Sequence, residues 1–117
     1  MRKLKRNECS ILPLVLKGKW YDMISSSEKT EEYRADTPYW RKRIGNWIMR
    51  HNFGGHLVIA FSRGYCKPGL YVEACGVNIY PNRLHPSWGE PTGSHYVIAL
   101  KRRVQLIDKP LNEGDLK

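Results

Sequence analysis

The clearest periodic signal in the chain begins at Thr37-Pro38. Trp40, Ile44, Trp47 and Ile48 fall at i, i+4, i+7 and i+8, a single apolar stripe on a helix that must be buried against something. Thr37 is a good N-cap and Pro38 suits the first helical position. Asn52-Phe53-Gly54-Gly55 ends the helix, because Asn and Gly tolerate left-handed backbone. Arg41, Lys42, Arg43 and Arg50 lie largely off the stripe. The chain beyond the helix reads as strands: Val/Ile-rich His56–Ser62, Leu70–Ile79 with a bulge at Gly76, and Tyr96–Arg102, which Val104–Ile107 either extends or leaves to pair separately. Lys67-Pro68-Gly69 has the residue order of a type II turn, and Tyr80–Ser94 is a long loop with three prolines and two glycines.

Upstream of the helix, Ile11–Leu16 is a short buried strand, with Pro13 near its start or on a sheet edge. Trp20, Met23 and Ile24 mark a short helix, broken by Ser25-Ser26-Ser27. Thr30–Arg34 is extended. One or two helices early and five or six strands late give an α+β fold, with a mostly antiparallel sheet or a small barrel. A length of 117 residues favours one domain, with a basic arm at 1–10, a folded body at 11–107 and a loose tail at 108–117.

Twenty Lys and Arg against eleven Asp and Glu leave a net charge of +9. A field of that sign draws polyanions, whether nucleic acid, nucleotide or an anionic surface, and it also simply keeps a protein soluble. The basic start Met1–Arg6 mimics the n-region of a signal peptide, but secretion is not expected: Ile11–Leu16 is too short for the apolar region, contains Pro13 and meets Lys17 and Lys19. No stretch approaches the ~18 apolar residues of a membrane span. Cys9, Cys66 and Cys75 are odd in number and lack Cys-x-x-Cys spacing, so the expectation is a cytoplasmic chain without disulfides. His51 and His56 with Cys66 and Cys75 match no standard zinc spacing. Neither a metal nor a cofactor is expected, and Cys75 reads as a buried thiol in an apolar strand.

The densest polar cluster is Glu28–Arg34. On a strand, Thr30, Glu32 and Arg34 share one face, and Glu31 and Tyr33 share the other. Lys29 falls at the turn before the strand, so alternation does not fix its direction. Lys29 brings a mobile ammonium and Arg34 a planar fork suited to phosphate or a base edge. Glu32 would hold Arg34 or accept from an exocyclic amine. A Glu beside Lys29 is expected to keep the lysine charged. The plain alternative is a surface strand whose charges pair with one another. Arg63-Gly64-Tyr65 adds a cation beside an aromatic in a loop. Tyr39 and Trp88 are further rings, for stacking or simply for packing, as Trp88 would over a barrel, and Arg41–Arg43 serve either phosphates or solvent.

Leu12–Arg34 resembles the start of an ASCH domain. That family opens with a strand, a short helix ending in a small-residue turn, and a Gly-x-Lys-x-x-Glu-x-Arg motif. Lys29, Glu32 and Arg34 match the motif, and Ser27 stands where the family usually has Gly. Thr37-Pro38-Tyr39-Trp40, Trp88-Gly89-Glu90-Pro91 and the strand Tyr96–Leu100 carry the likeness loosely onward, over roughly Ile11 to Arg102. The resemblance implies a small PUA-like barrel whose cleft, lined by Lys29, Glu32 and Arg34, binds RNA or a nucleotide. Thr30, Arg63 and Tyr65 complete the candidate binding set. It also implies an alternative. Some members cleave RNA, and one branch hydrolyses N4-acetylcytidine with a Lys, a Thr and a Glu. Lys29 matches that lysine, but Glu32 stands at the Thr position, Thr30 supplies a hydroxyl elsewhere, and Glu90 is the nearest acid for the third role. A protein-interaction domain with incidental charge stays open beside both.

Overall fold

A computed structural model describes residues 1–51 and 55–108. Its strands are β1 (Arg2–Lys5), β2 (Cys9–Leu16), β3 (Glu31–Ala35), β4 (His56–Arg63), β5 (Leu70–Tyr80) and β6 (His95–Ile107), and its helices are α1 (Gly18–Ser25) and α2 (Pro38–His51). The fold is α+β. The six strands form one mixed sheet in the order β1-β6-β5-β4-β2, with β3 also paired to β6. The pairs β3–β6, β4–β5 and β5–β6 are antiparallel, whereas β1–β6 and β2–β4 are parallel. Parallel neighbours need a long crossover, and the connection from β2 to β4 supplies one containing both helices.

The stripe on α2 behaves as its spacing requires. Trp47 and Ile44 are buried, with Trp40 and Ile48 packed at the margin of the same core. They meet Leu12, Leu14 and Leu16 from β2, Ile59 and Phe61 from β4, Leu70, Val72 and Ala74 from β5, and Tyr96 and Ile98 from β6. Ile24 of α1 closes one end. The Trp47 indole donates to Ser10 O at 2.8 Å, and the Ser10 hydroxyl returns a bond to Trp47 O at 2.8 Å, so α2 is pinned to β2 by polar as well as apolar contact. The cap at Thr37 is present: its Oγ1 accepts from the Trp40 amide at 3.3 Å. The expected helix stop at Asn52-Phe53-Gly54 lies outside the described residues.

Several expectations are corrected. Residues 1–10 are not a loose arm. Arg2–Lys5 pairs in parallel with Val104–Ile107, and Leu4 joins Val58 and Val104 in a small second core. Val104–Ile107 extends β6, one strand of 13 residues. Lys67-Pro68-Gly69 is not the turn between β4 and β5. The chain reverses at Gly64-Tyr65, and the Gly69 amide closes the connection on Phe61 O at 3.0 Å. The bulge is where Gly76 suggested it, with register breaks on both sides of Ala74. It turns Cys75 outward, so this thiol is exposed instead of buried. Of the tail, only Asp108 is described.

The sheet also does not close into a barrel among the described residues. β2 is an edge strand, consistent with Pro13, which has no amide hydrogen to give. The seam between β2 and β3 is crossed by a side chain: Arg34 Nη2 donates to Val15 O at 3.3 Å, where a barrel would have a main-chain ladder. No helix among the described residues is long and apolar enough to cross a membrane.

Candidate functional site

Among the described residues β3 is short and pairs only with β6, which leaves its outer edge to side-chain chemistry. The chain enters it through a tight corner. Ser27 sits at φ 67°, in the left-handed region where an L side chain costs roughly 1 kcal/mol or more. The corner is closed by the Lys29 amide donating back to Met23 O at 3.0 Å, and it turns the Lys29 side chain inward. Ser27→Gly is therefore expected to leave the fold intact and to raise its stability by up to about 1 kcal/mol, partly offset by the freer glycine chain in the unfolded state. Denaturant unfolding checks this, and a loss above about 1 kcal/mol would mean that the Ser27 side chain has a role beyond the turn.

Lys29 is only 2% exposed. Its Nζ donates to Trp88 O at 2.7 Å, lies 3.5 Å from Glu32 Oε1, and sits 4.2 Å from the Tyr33 ring centre and 5.7 Å from that of Trp20. Glu32 curls over the strand edge. Its Oε1 accepts from the Tyr33 amide at 2.9 Å and its Oε2 from Arg34 Nη1 at 3.0 Å. Arg34 Nη1 also donates to Tyr33 O at 2.7 Å, and the guanidinium stacks 5.0 Å from the Trp40 ring centre. The three residues singled out in sequence thus form one network, graded from a buried ammonium to a guanidinium whose side chain is 16% exposed. Burial pulls the Lys29 pKa below the ordinary lysine value of 10.5, against the opposing pull of Glu32. In direction, removing the ammonium from water outweighs one carboxylate at 3.5 Å.

The lid on Lys29 is the loop between β5 and β6. Gly89, at φ 81°, lets it dock, because a side chain there would meet the Trp20 ring at 2.8 Å. Glu90 holds the loop. Its Oε1 accepts from the amides of Leu84 and His85, both at 2.6 Å, and its Oε2 lies 2.5 Å from His95 Nε2. Burial alone would raise the Glu90 carboxyl, but these amide and imidazole contacts outweigh it and leave the pKa lowered. Both Glu90 oxygens are engaged, so Glu90 organises the loop. His85 stacks on Trp88 at 4.2 Å and lies 3.8 Å from Glu31, whose carboxylate also accepts from the Tyr33 hydroxyl at 2.8 Å. Burial and Glu31 together hold the Tyr33 phenol protonated.

Thr30 is exposed and borders a small cavity of about 120 Å³ with Ser27, Lys29, Lys101 and Arg103, while Arg34 borders a different concavity of about 350 Å³ with Tyr39, Trp40 and Arg43. The two remaining candidates lie apart. Arg63 pairs with Asp22 at 3.2 Å, and Tyr65 stands free in the β4–β5 connection. Neither shares a hydrogen bond, ion pair or ring contact with the Lys29 network among the described residues. His56 is committed to Glu73 at 2.6 Å, and no cluster of metal-ligating side chains occurs among the described residues. Sequence reasoning missed Trp20, Tyr33 and His95 as walls of the site. The loop residues Gly89-Glu90 were the available signal, since a glycine and an acid side by side in a long loop suit a tight docked turn. No protein-family model matches the chain, and no curated protein matches it.

Proposed function

We propose that the chain is an ASCH-type, PUA-like domain that binds RNA or a nucleotide at the mouth of the Lys29–Glu32–Arg34 network. The observation that carries this reading is the convergence of these three side chains behind a left-handed Ser27. The motif calls for Gly at that position, and the backbone there has the geometry glycine prefers. The Arg34 guanidinium, anchored by Glu32 and Trp40, borders the concavity of about 350 Å³, and the net charge of +9 favours polyanions. Lys29 acts from behind, as a buried charge that fixes Glu32 and the loop. We expect binding of short RNA whose log affinity falls linearly with log salt, by about 0.7 per phosphate neutralised. Arg34→Gln should weaken it, and titration across salt concentrations reads both effects. An affinity that ignores salt would sink the proposal.

A second reading, a hydrolase acting on an acylated cytidine or an RNA phosphodiester, is favoured by one observation: burial lowers the Lys29 pKa, as a reactive amine requires. It needs the loop over Trp88 to open first. Turnover of N4-acetylcytidine or RNA that survives Lys29→Ala would remove that residue from the chemistry.

A further inference from the structure

The concavity at Arg34 does not stop at Arg34. A second one, of about 340 Å³, lies beside it over Ile11 and Leu12 with Asn46 and Arg50, and the two share Pro13 and Arg43. Together they form a groove between edge strand β2 and helix α2, with a floor from Ile11 to Val15 that runs roughly 13 Å at the usual strand rise. No Asp or Glu lines either half.

Arg43 marks the middle of the groove, and its bonding is unusual. Its Nη1 donates to the Tyr39 hydroxyl at 3.2 Å and its Nη2 to Pro13 O at 3.3 Å, both uncharged acceptors. Its Nε is buried with no partner. Among the described residues no carboxylate pairs with it, in contrast to Arg34 with Glu32 and Arg41 with Asp36. The residue as a whole is only half-buried, so an anion in the groove can reach the guanidinium and supply the counter-charge it lacks. Around it, rings and guanidinium groups alternate: Trp40 lies between Arg34, 5.0 Å from its ring centre, and Arg43, 5.5 Å away, and Arg43 is also 5.5 Å from the Tyr39 ring. Tyr39 is 59% exposed at the groove wall.

We propose that this β2–α2 groove is a track for single-stranded nucleic acid, with a phosphate on Arg43, a base stacked on Tyr39 and the strand continuing toward Arg50. The groove deepens the RNA-binding reading and rests on it. A stacking ring beside an uncompensated cation fits a nucleotide better than an acidic peptide, which offers charge but no base. A concavity with an exposed ring in its wall suits unpaired bases, whose faces are free to stack, and not a stacked duplex.

The test is equilibrium titration of the full chain with a fluorescent oligouridine, its DNA counterpart, an RNA duplex and polyglutamate. Single strands should bind best, with the RNA and DNA arms showing whether the sugar matters. Tyr39→Ala should weaken single-strand binding about ten-fold, and Tyr39→Phe should not, because stacking needs the ring and not the hydroxyl. Arg43→Gln should flatten the salt slope by about 0.7, whereas Arg43→Lys keeps it. Thermal melts confirm that each variant is folded. If Tyr39→Ala and Arg43→Gln bind as wild type while Arg34→Gln does not, the track is wrong and the reading of the Arg34 site stands. If wild type binds no nucleic acid, both fall. Duplex or polyglutamate bound as tightly as single strands overturns the track.

Discussion

Glu32→Gln is expected to destabilise the protein by about 3–5 kcal/mol, the usual cost of removing one partner from a buried ion pair. Glu32 is the only carboxylate bonded to Arg34 among the described residues, and it lies 3.5 Å from the Lys29 ammonium. An amide at that position leaves two cations close together, one of them without solvent. At ~4 °C per kcal/mol for a chain of this size, the melting temperature should fall by at least about 12 °C. The loss should also depend on pH in a particular direction. A lysine whose folded-state pKa is lowered binds fewer protons folded than unfolded, so stability rises as pH climbs through the folded value toward 10.5. Without Glu32 the folded value drops further and that rise begins at lower pH. Lys29→Met is the matched comparison. It leaves Glu32 paired with Arg34 and forfeits one hydrogen bond to Trp88 O, a cost of about 1 kcal/mol. If both variants cost less than about 1 kcal/mol, the network is solvated like a surface pair and the buried-charge account is wrong.

This contrast shows what was legible in the sequence. The stripe on α2 was legible because helical spacing is a local property, and the core did bury Ile44 and Trp47. The charge density at Glu28–Arg34 was equally plain. The burial of Lys29 was not, since it depends on a left-handed turn at Ser27 and on a loop some 60 positions away, at Trp88. Distance along the chain hid β1 as well. Met1–Arg6 has one internal apolar residue, Leu4, and becomes a strand only because Val104–Ile107 offers it a parallel partner. The open sheet had no sequence signature either. Whether β2 and β3 join by a ladder or through the Arg34 side chain depends on how the two edges meet, and alternation patterns carry nothing about that.

Glu90→Ala carries the second large effect and links stability to access. The carboxylate receives two amides and contacts His95, and hydrogen bonds to a buried charge are worth about 1.5–3 kcal/mol each before compensation. A net loss of about 2–4 kcal/mol is expected, concentrated in the β5–β6 loop. Once the loop detaches, Trp88 O leaves Lys29 and water reaches the ammonium. In the wild type, Lys29 should be among the slowest lysines to react with an acylating reagent. In Glu90→Ala it should react at a rate approaching that of an exposed amine, with the Trp emission shifted to the red. Acid should mimic the substitution. The Glu90 pKa is lowered in the fold, so its contribution is complete above the unfolded value near 4.5 and is lost as pH falls through the lower folded value. The red shift of Trp emission across that range reads the opening, since lysines are too fully protonated there to be acylated. If Lys29 stays protected in Glu90→Ala while the fold persists, the loop is held by Gly89 packing on Trp20, and Glu90 is not its anchor.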